Sequence, residues 1–524
     1  MPDYMFLLES RLSAEQRAVL MRIQELGQAT GNNVYLAGGA VRDLISGMPI
    51  RDLDFIVEGN PFRLVRELEK GGARVTHESE RMRYAEMIFA GDIDGSISAA
   101  RDEVYVRPGT THEIRWSTIM EDLRRRDFSF NAIAISLNPA SRGLLLDPTN
   151  GLADLEKREI RALSIHSFTN QPVRLLRALR FAARLGGKLE TRTKEWFDLA
   201  MERELHQQIE ADDAGSELRQ LTREDKPVTI LKSWEAHGLL GTFSSRLARR
   251  HPNYDAVARL VRARDDLVSA NLRPRLLIPG TRAVLSRLKS RELSSALRKL
   301  DYGAAEISSL LKLDSESKKF VKLLRSRKMN SPREAYTLLE KTPLDLLAYV
   351  MAESSNSNAR AKIRNYLQKW RPMRLNLPSV ATELETLGMA RGPKFDKVVE
   401  DFFTAQLAGK GKTPEERIKL LRRLSGIKEL PKKPVKEEKR KGGKPTAKVL
   451  GKAAGPAVSA APEKSKAPGQ AKAGAEKPAP AKAAAPARPA GKTKTAANAA
   501  RKAHGRSSAK KARKPAKKKA RKRK

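Results

Sequence analysis

The sequence predicts a mixed α/β unit, a mixed sheet with flanking helices, followed by a long all-α region and a disordered basic C-terminal extension. Three observations carry this. Short apolar runs closed by glycines recur between residues 33 and 147, helical spacing dominates from about 171 to 430, and 431–524 is built from Lys, Ala, Pro and Gly. That last segment carries net charge +27, has no Phe, Trp or Tyr, and contains Leu450 as its one leucine. Such a segment buries too little apolar surface to offset the entropy of ordering.

Taken in order, residues 13–27 (SAEQRAVLMRIQELG) repeat apolar side chains at helical spacing and predict an amphipathic helix ending at Gly27. Val34 to Ala37, closed by Gly38-Gly39, is a compact apolar run, and Leu53 with Phe55 to Val57, closed by Gly59, is a second. Asn60-Pro61 supplies an N-cap and a first-turn proline for a helix over Phe62 to Lys70. Strands are expected near Ala73 to Thr76, Tyr84 to Phe89, Ile93 to Ala99, Asn131 to Leu137 and Leu144 to Asp147, with a change to helix from Leu152 to Lys157. Beyond 171 the turn signals, among them Gly186-Gly187, His237-Gly238, Pro279-Gly280 and Gly392-Pro393, punctuate helices without a fixed-period repeat.

The chain has 524 residues, 103 Lys plus Arg against 61 Asp plus Glu, and no cysteine. Its length exceeds one compact core, and thiol chemistry, thiolate metal sites and disulfide scaffolds are excluded. Residues 1–430 carry a net +15 beside the tail's +27, so both parts favour a polyanionic partner. No stretch approaches the roughly eighteen apolar residues of a membrane span, and the opening MPDYMFLLESRL lacks a basic leader, so a cytoplasmic protein with no membrane partner is expected.

Three constellations carry chemistry. In GGAVRDLISGMPIRDLD, residues 38–54, a glycine pair after a strand lets the backbone approach a phosphate, and Arg42 follows at a distance suited to a charge-assisted contact. Asp52 and Asp54 lie two apart in an apparent strand, so both carboxylates leave one face and suit Mg²⁺. In EDLRRRDFSFNAIAI, residues 121–135, consecutive arginines precede an apolar run, with Asp127 able to fix an arginine or a ribose hydroxyl. In QPVRLLRALRFAARL, residues 171–185, Arg174, Arg177, Arg180 and Arg184 share one helix face while leucines and alanines hold the rest in a core. Their mutual repulsion would be relieved by a triphosphate or base edges. Taken singly, each constellation also has a plain structural reading as a turn, a strand end or a solvated charge cluster.

GGAVRD, DLD, RRDFSFNAIAI, DPTNGLADLEKREIRAL and VRLLRALRFAARL, in this order and spacing, resemble the class II tRNA nucleotidyltransferase and bacterial poly(A) polymerase family. The resemblance is dense from about residue 33 to 200 and reappears in LPSVATELETLGMARGPKFDKVVEDFFTAQLAGKGKT. Between the N-terminal helix (1–30) and the basic extension (431–524), it implies a nucleotidyltransferase head (31–165), a helical neck (166–245) and an RNA-binding helical body and tail (246–430). It also implies Mg²⁺ in a two-metal site on Asp52 and Asp54, with ATP and CTP as substrates. Gly38, Gly39, Arg42, Arg125 or Arg126, Asp127, Gln171, Arg174, Arg177 and Arg180 would surround the nucleotide.

Three positions depart from the family pattern. Ser96 stands where a third carboxylate is usual, with Asp94 two residues earlier on the same strand face. Gln171 stands where an Asp reads the base edge with Arg174, and the usual Glu-Arg of the neck is absent around Ala214-Gly215-Ser216, although Glu217 and Leu218 follow. The implied function is template-independent addition of CMP and AMP, or AMP alone, to tRNA 3′ ends. A poly(A) polymerase on other RNAs, or an RNA-binding protein on the same fold that has lost turnover, is the alternative. The tail is expected to bind nucleic acid without sequence preference.

Overall fold

The computed structural model describes residues 3–105 and 113–427, so the basic tail expected at 431–524 lies outside the described residues. The chain opens with α1 (Tyr4–Arg11), which no sequence signal announced; the Asp3 carboxylate accepts the Met5 and Phe6 N–H groups and caps it. α2 (Ala14–Thr30) starts on a Ser13–Gln16 capping box. It does not stop at Gly27 but runs on to Thr30 and closes on left-handed Gly31 at φ +66°. Gly27 serves packing instead, since a Cβ there would lie 2.8 Å from Val34 Cγ2 and the missing side chain lets the helix lie against the first strand.

The head then runs β1 (Asn33–Ala37), α3 (Gly39–Ile45), β2 (Leu53–Glu58), α4 (Phe62–Lys70), β3 (Arg74–Ser79), β4 (Tyr84–Phe89) and β5 (Ile93–Ala99). It continues with β6 (Arg101–Val104), β7 (Glu113–Trp116), α5 (Ile119–Arg124), β8 (Ala134–Ser136), β9 (Leu145–Leu146), α6 (Gly151–Lys157) and β10 (Glu159–Ile160). The expected run from Asn131 to Leu137 is shorter than its pattern: Ser129–Asn131 closes into a 3₁₀ turn and strand pairing begins at Ala134. Likewise Leu144 to Asp147 narrows to Leu145–Leu146.

Seven strands form one sheet in the order β3-β4-β5-β2-β1-β8-β9. β2 and β5 run parallel and the other neighbours antiparallel. Alternation along the strands sorts the side chains. Val34, Leu36, Leu53, Phe55, Val57, Ile93 and Ile97 join one core with residues of α1, α2 and α4. Tyr35, Ala37 and Ile56 join Ile119 and Leu123 of α5 on the other face. Full burial of each large apolar side chain contributes roughly 1.5–3 kcal/mol, so a one-residue slip of β2 is prohibited. The same parity carries Asp54 to the face that α5 covers.

From residue 167 the chain is helical, as its periodicity predicts: α7 (Ser167–Asn170), α8 (Arg174–Leu185), α9 (Thr191–Glu202), α10 (Ala211–Leu221) and further helices to Pro414–Ser425. One exception is β11 (Lys188–Leu189), which pairs in parallel with β10. α8 buries Leu175, Leu176, Ala178, Leu179 and Phe181, and the Trp234 indole N–H donates to the Leu176 carbonyl at 3.0 Å. Phe128 and Phe130 stack with centroids 5.5 Å apart, and Phe181 meets them edge-on at 5.9 and 5.1 Å. The last turn of the head and the first long helix of the neck therefore share one apolar cluster. Among the described residues no helix is long and apolar enough to cross a membrane.

Candidate active site

β2 begins at Leu53, so Asp52 immediately precedes the strand rather than lying within it as the spacing suggested. The two carboxylates still come close: burial first, then the like charge of Asp52, pushes the Asp54 carboxyl up. Asp54 is opposite Ser96 in the β2–β5 register, and its Oδ1 accepts the Ser96 hydroxyl at 2.7 Å. Asp52 is held from the neck, where the Arg223 guanidinium donates to its Oδ1. That guanidinium also lies 3.8 Å from Asp94, which Arg275 holds at 3.2 Å. Asp94 thus reaches the cation that Asp52 binds, yet among the described residues no group of three or more His, Asp or Glu is placed to hold a metal ion. Nothing in the local sequence of Arg223 marks this role, because its partner lies 171 residues away.

Above the carboxylates, β1 turns into α3 through Gly38 at φ +68°, and a Cβ there would lie 2.7 Å from Arg126 Nη1. Only glycine satisfies both the dihedral and the approach. Gly39 opens α3, and Arg42 Nη2 lies 3.6 Å from where its Cβ would be. Arg126 donates to the Asn131 carbonyl at 3.1 Å and to Asp122 at 3.2 Å, and its charge acts on Asp54. Arg125 is committed elsewhere, to Glu103 at 2.7 Å, Asp122 at 2.5 Å and the Arg101 carbonyl at 2.6 Å. Of the two arginines, the structure brings Arg126 alone beside Gly38 and Asp54.

Three of the four arginines in the α8 row, Arg177, Arg180 and Arg184, find their counter-charges within the protein, which corrects the expectation that a ligand is needed to relieve them. Arg42 donates to Asp43 at 2.9 Å, and Asp43 accepts Arg184 at 2.7 Å. Arg184 donates to Glu224 at 3.0 Å and Arg180 to the same carboxylate at 2.9 Å. Arg180 donates at 2.7 Å to Glu217, which also accepts Arg177 at 3.1 Å. Arg177 donates to Asp127 at 3.1 Å, Asp127 accepts the Asn131 amide at 3.1 Å, and Asn131 Oδ1 accepts Arg42 at 2.8 Å. The nine side chains close a ring. Phe181 lies within it, with Arg42 at 5.1 Å and Arg180 at 4.5 Å from its centroid. Burial alone would push Glu224 and Asp127 up, but Arg180, Arg184 and Arg51 around Glu224, and Arg177 and Arg174 around Asp127, hold both below the usual carboxylate range. Arg177 is the open member, with 39% of its side chain exposed against 6% for Arg180.

At the start of α8, Arg174 donates to Gln171 Oε1 at 3.0 Å and to Ser167 Oγ at 2.8 Å. The other end of the Gln171 amide donates to the Tyr105 hydroxyl at 2.5 Å, and that hydroxyl donates to Glu103 at 3.0 Å. A neutral amide fits here because the tyrosine proton already goes to Glu103. The structure therefore unites Gly38, Gly39, Arg42, Asp52, Asp54, Arg126 and the α8 row at the head–neck junction. It adds Arg223, Asp43, Asn131, Glu217, Glu224 and Tyr105, which the sequence pattern did not assign as site residues.

Residues 34–161 match the poly(A) polymerase head domain. The chain is 36% identical over 253 residues to an A-adding tRNA nucleotidyltransferase of Halalkalibacterium halodurans, covering 46% of this chain and 58% of the relative. It is 37% identical over 206 residues to an A-adding enzyme of Aquifex aeolicus, covering 39% of this chain and 25% of the relative. A CC-adding tRNA nucleotidyltransferase of Deinococcus radiodurans is 36% identical over 178 residues, 34% of this chain and 47% of the relative. Over these segments the chain is similar to tRNA nucleotidyltransferases, and residues 34–161 carry the head-domain pattern. The chain spans between 25% and 58% of these relatives' lengths.

In this protein, head and neck are joined by charge as well as by apolar contact. Breaking a buried ion pair from one side costs about 3 kcal/mol, so Glu224→Gln should destabilise the protein by that amount in denaturant unfolding. Because the folded carboxyl is held low, its stabilisation is complete above the ordinary glutamate range and fades as pH falls through the lowered value. The variant's stability should accordingly change less than the wild type's below about pH 4. Asp52 and Arg223 are both partly exposed, so their contact contributes at most about 1 kcal/mol after screening. On the expectation that Mg²⁺ binds at Asp52, Arg223→Ala should lower the Mg²⁺ concentration giving half-maximal thermal stabilisation by up to about fivefold, because the ion would no longer compete with a guanidinium.

Proposed function

We propose that the protein adds nucleotides without a template to RNA 3′ ends, with tRNA as the RNA and CMP or AMP as the unit added. The observation that carries this reading is the pairing of Asp52 and Asp54 beside Gly38 and Arg126, with Asp54 pushed up by burial and its neighbour. A-adding and CC-adding activities in the names of its relatives support the tRNA substrate.

Two hard oxygen donors, a hydroxyl at 2.7 Å from one of them and like-charge repulsion between them fit Mg²⁺, whose remaining shell comes from water and substrate phosphates. When bound there on Asp52 and Asp54, Mg²⁺ supplies Lewis-acid stabilisation of charge on the phosphoryl oxygens and the attacking hydroxyl. The chain's own residues do the rest by alignment. Gly38 leaves the backbone open to a phosphate, and Arg126 and the open face of Arg177 lie where triphosphate charge needs neutralising. Gln171 and Arg174 present a fixed donor and acceptor edge to the base. The RNA 3′-oxygen bonds to the α-phosphorus, the bond to the β-phosphate oxygen breaks, the hydroxyl proton passes to solvent, and pyrophosphate leaves with the electron pair.

The second reading, an RNA-binding protein on this fold without turnover, rests on Ser96 in place of a carboxylate and on Arg223 occupying Asp52. Replacing Asp52 and Asp54 together by Ala decides between the two. Nucleotide addition to tRNA transcripts lacking zero to three terminal nucleotides, with ATP and CTP supplied separately, should fall at least about 10³-fold while thermal stability and RNA affinity stay near wild type. Ordinary turnover in the double variant would rule out these carboxylates, and no turnover in the wild type would favour the binding protein. Gln171→Asp places a carboxylate against a tyrosine whose proton is already given to Glu103. Relative kcat/KM for CTP and ATP should shift by about tenfold with unchanged Mg²⁺ dependence; an unchanged ratio would remove Gln171 from base selection.

A further inference from the structure

Away from the head–neck junction, the helical body holds a half-open cavity of about 670 Å³ that none of the residues above line. One wall is the helix Tyr254–Ser269, and the other is the helix Ser357–Asn365 continuing through a π-helical turn, Tyr366–Trp370, into Arg371–Leu375. Its lining contains five arginines and a single acid, Asp266. Arg259 is answered by Glu353 at 2.6 Å and Arg371 by Glu340 at 3.8 Å. Arg262, Arg360 and Arg364 are exposed, and they form no ion pair among the described residues. Arg360 and Arg364 are one helical turn apart, where like charges oppose helix formation.

Keeping three uncompensated guanidiniums around a concavity makes sense if an anion completes them. The cavity floor is apolar, with Met351, Ala352 and Leu367, and the Asn271 and Gln368 amides lie in its lining. Its volume lies within the range of small-ligand sites. A π-helical turn in the wall is a feature that recurs at ligand sites.

We propose that this cavity is a second nucleotide site, binding a nucleoside triphosphate with its phosphates on Arg262, Arg360 and Arg364 and its base on the Met351–Leu367 floor. Such a site is independent of the function proposed for the head. ATP titration of the full chain by calorimetry should show two equivalents bound, one of them weakened steeply by salt. Arg360→Glu/Arg364→Glu should remove one equivalent or weaken it at least tenfold, while Arg174→Ala in the head leaves that equivalent in place. Arg262→Ala, on the opposite wall, should weaken the same equivalent and guards against a local folding defect in the double variant, which circular dichroism checks directly. An unchanged ATP stoichiometry and affinity in Arg360→Glu/Arg364→Glu overturns the proposal. So does a variant that loses affinity for a single-stranded RNA oligonucleotide but keeps both ATP equivalents, since the cavity would then be an RNA surface.

Discussion

Two buried carboxylates, Glu217 and Glu224, hold the molecule in its working shape. Each accepts two guanidiniums from α8, and through Asp43 and Asp127 the same charges return to the head. Removing so many ions from water is costly, and only a closed arrangement that satisfies nearly every donor and acceptor offsets the desolvation. The closure explains why α8 can carry Arg177, Arg180 and Arg184 on one face; Arg174, the fourth, is held by Gln171 and Ser167 instead. It also separates two kinds of arginine: Arg42 and Arg180 are buried against Phe181, whereas Arg177 keeps 39% of its side chain exposed.

What the sequence announced follows from which forces are local. β4 and β5 begin and end where alternating apolar residues predict, and α4 starts on its Asn60-Pro61 signal. Local signals failed where tertiary contact overrode them. Gly27 reads as a helix stop, but the close approach of Val34 gives that glycine a packing role inside a continuing helix. The arginine spacing on α8 was legible as one face; its partners were not, because Glu217 and Glu224 lie 37 and 44 residues downstream of Arg180. The Asp52–Asp54 pair was visible as a motif, whereas Arg223 as its counter-ion was visible only once the neck folded back on the head.

The Ser96 and Gln171 substitutions have a common physical character. Each puts a neutral hydrogen-bonding group where the family pattern has a carboxylate, and each is satisfied by its surroundings: Ser96 donates to Asp54, and Gln171 bridges Arg174 and Tyr105. Less negative charge therefore surrounds the pocket than the pattern would give, and Asp54 is spared a second anionic neighbour in register with it.

The closed ring also bears on how such a protein can be recombined. Where the sequence pattern changes from head to neck, near residue 165, no energetic seam exists, because Arg42, Asp43, Asp127 and Asn131 on one side share their charges with Arg177, Arg184, Glu217 and Glu224 on the other. A head excised at that point would carry severed ion pairs on a newly bared surface. Inherited or engineered chimaeras are thus expected to cross over after Glu224, so that the head travels with the helices that neutralise it.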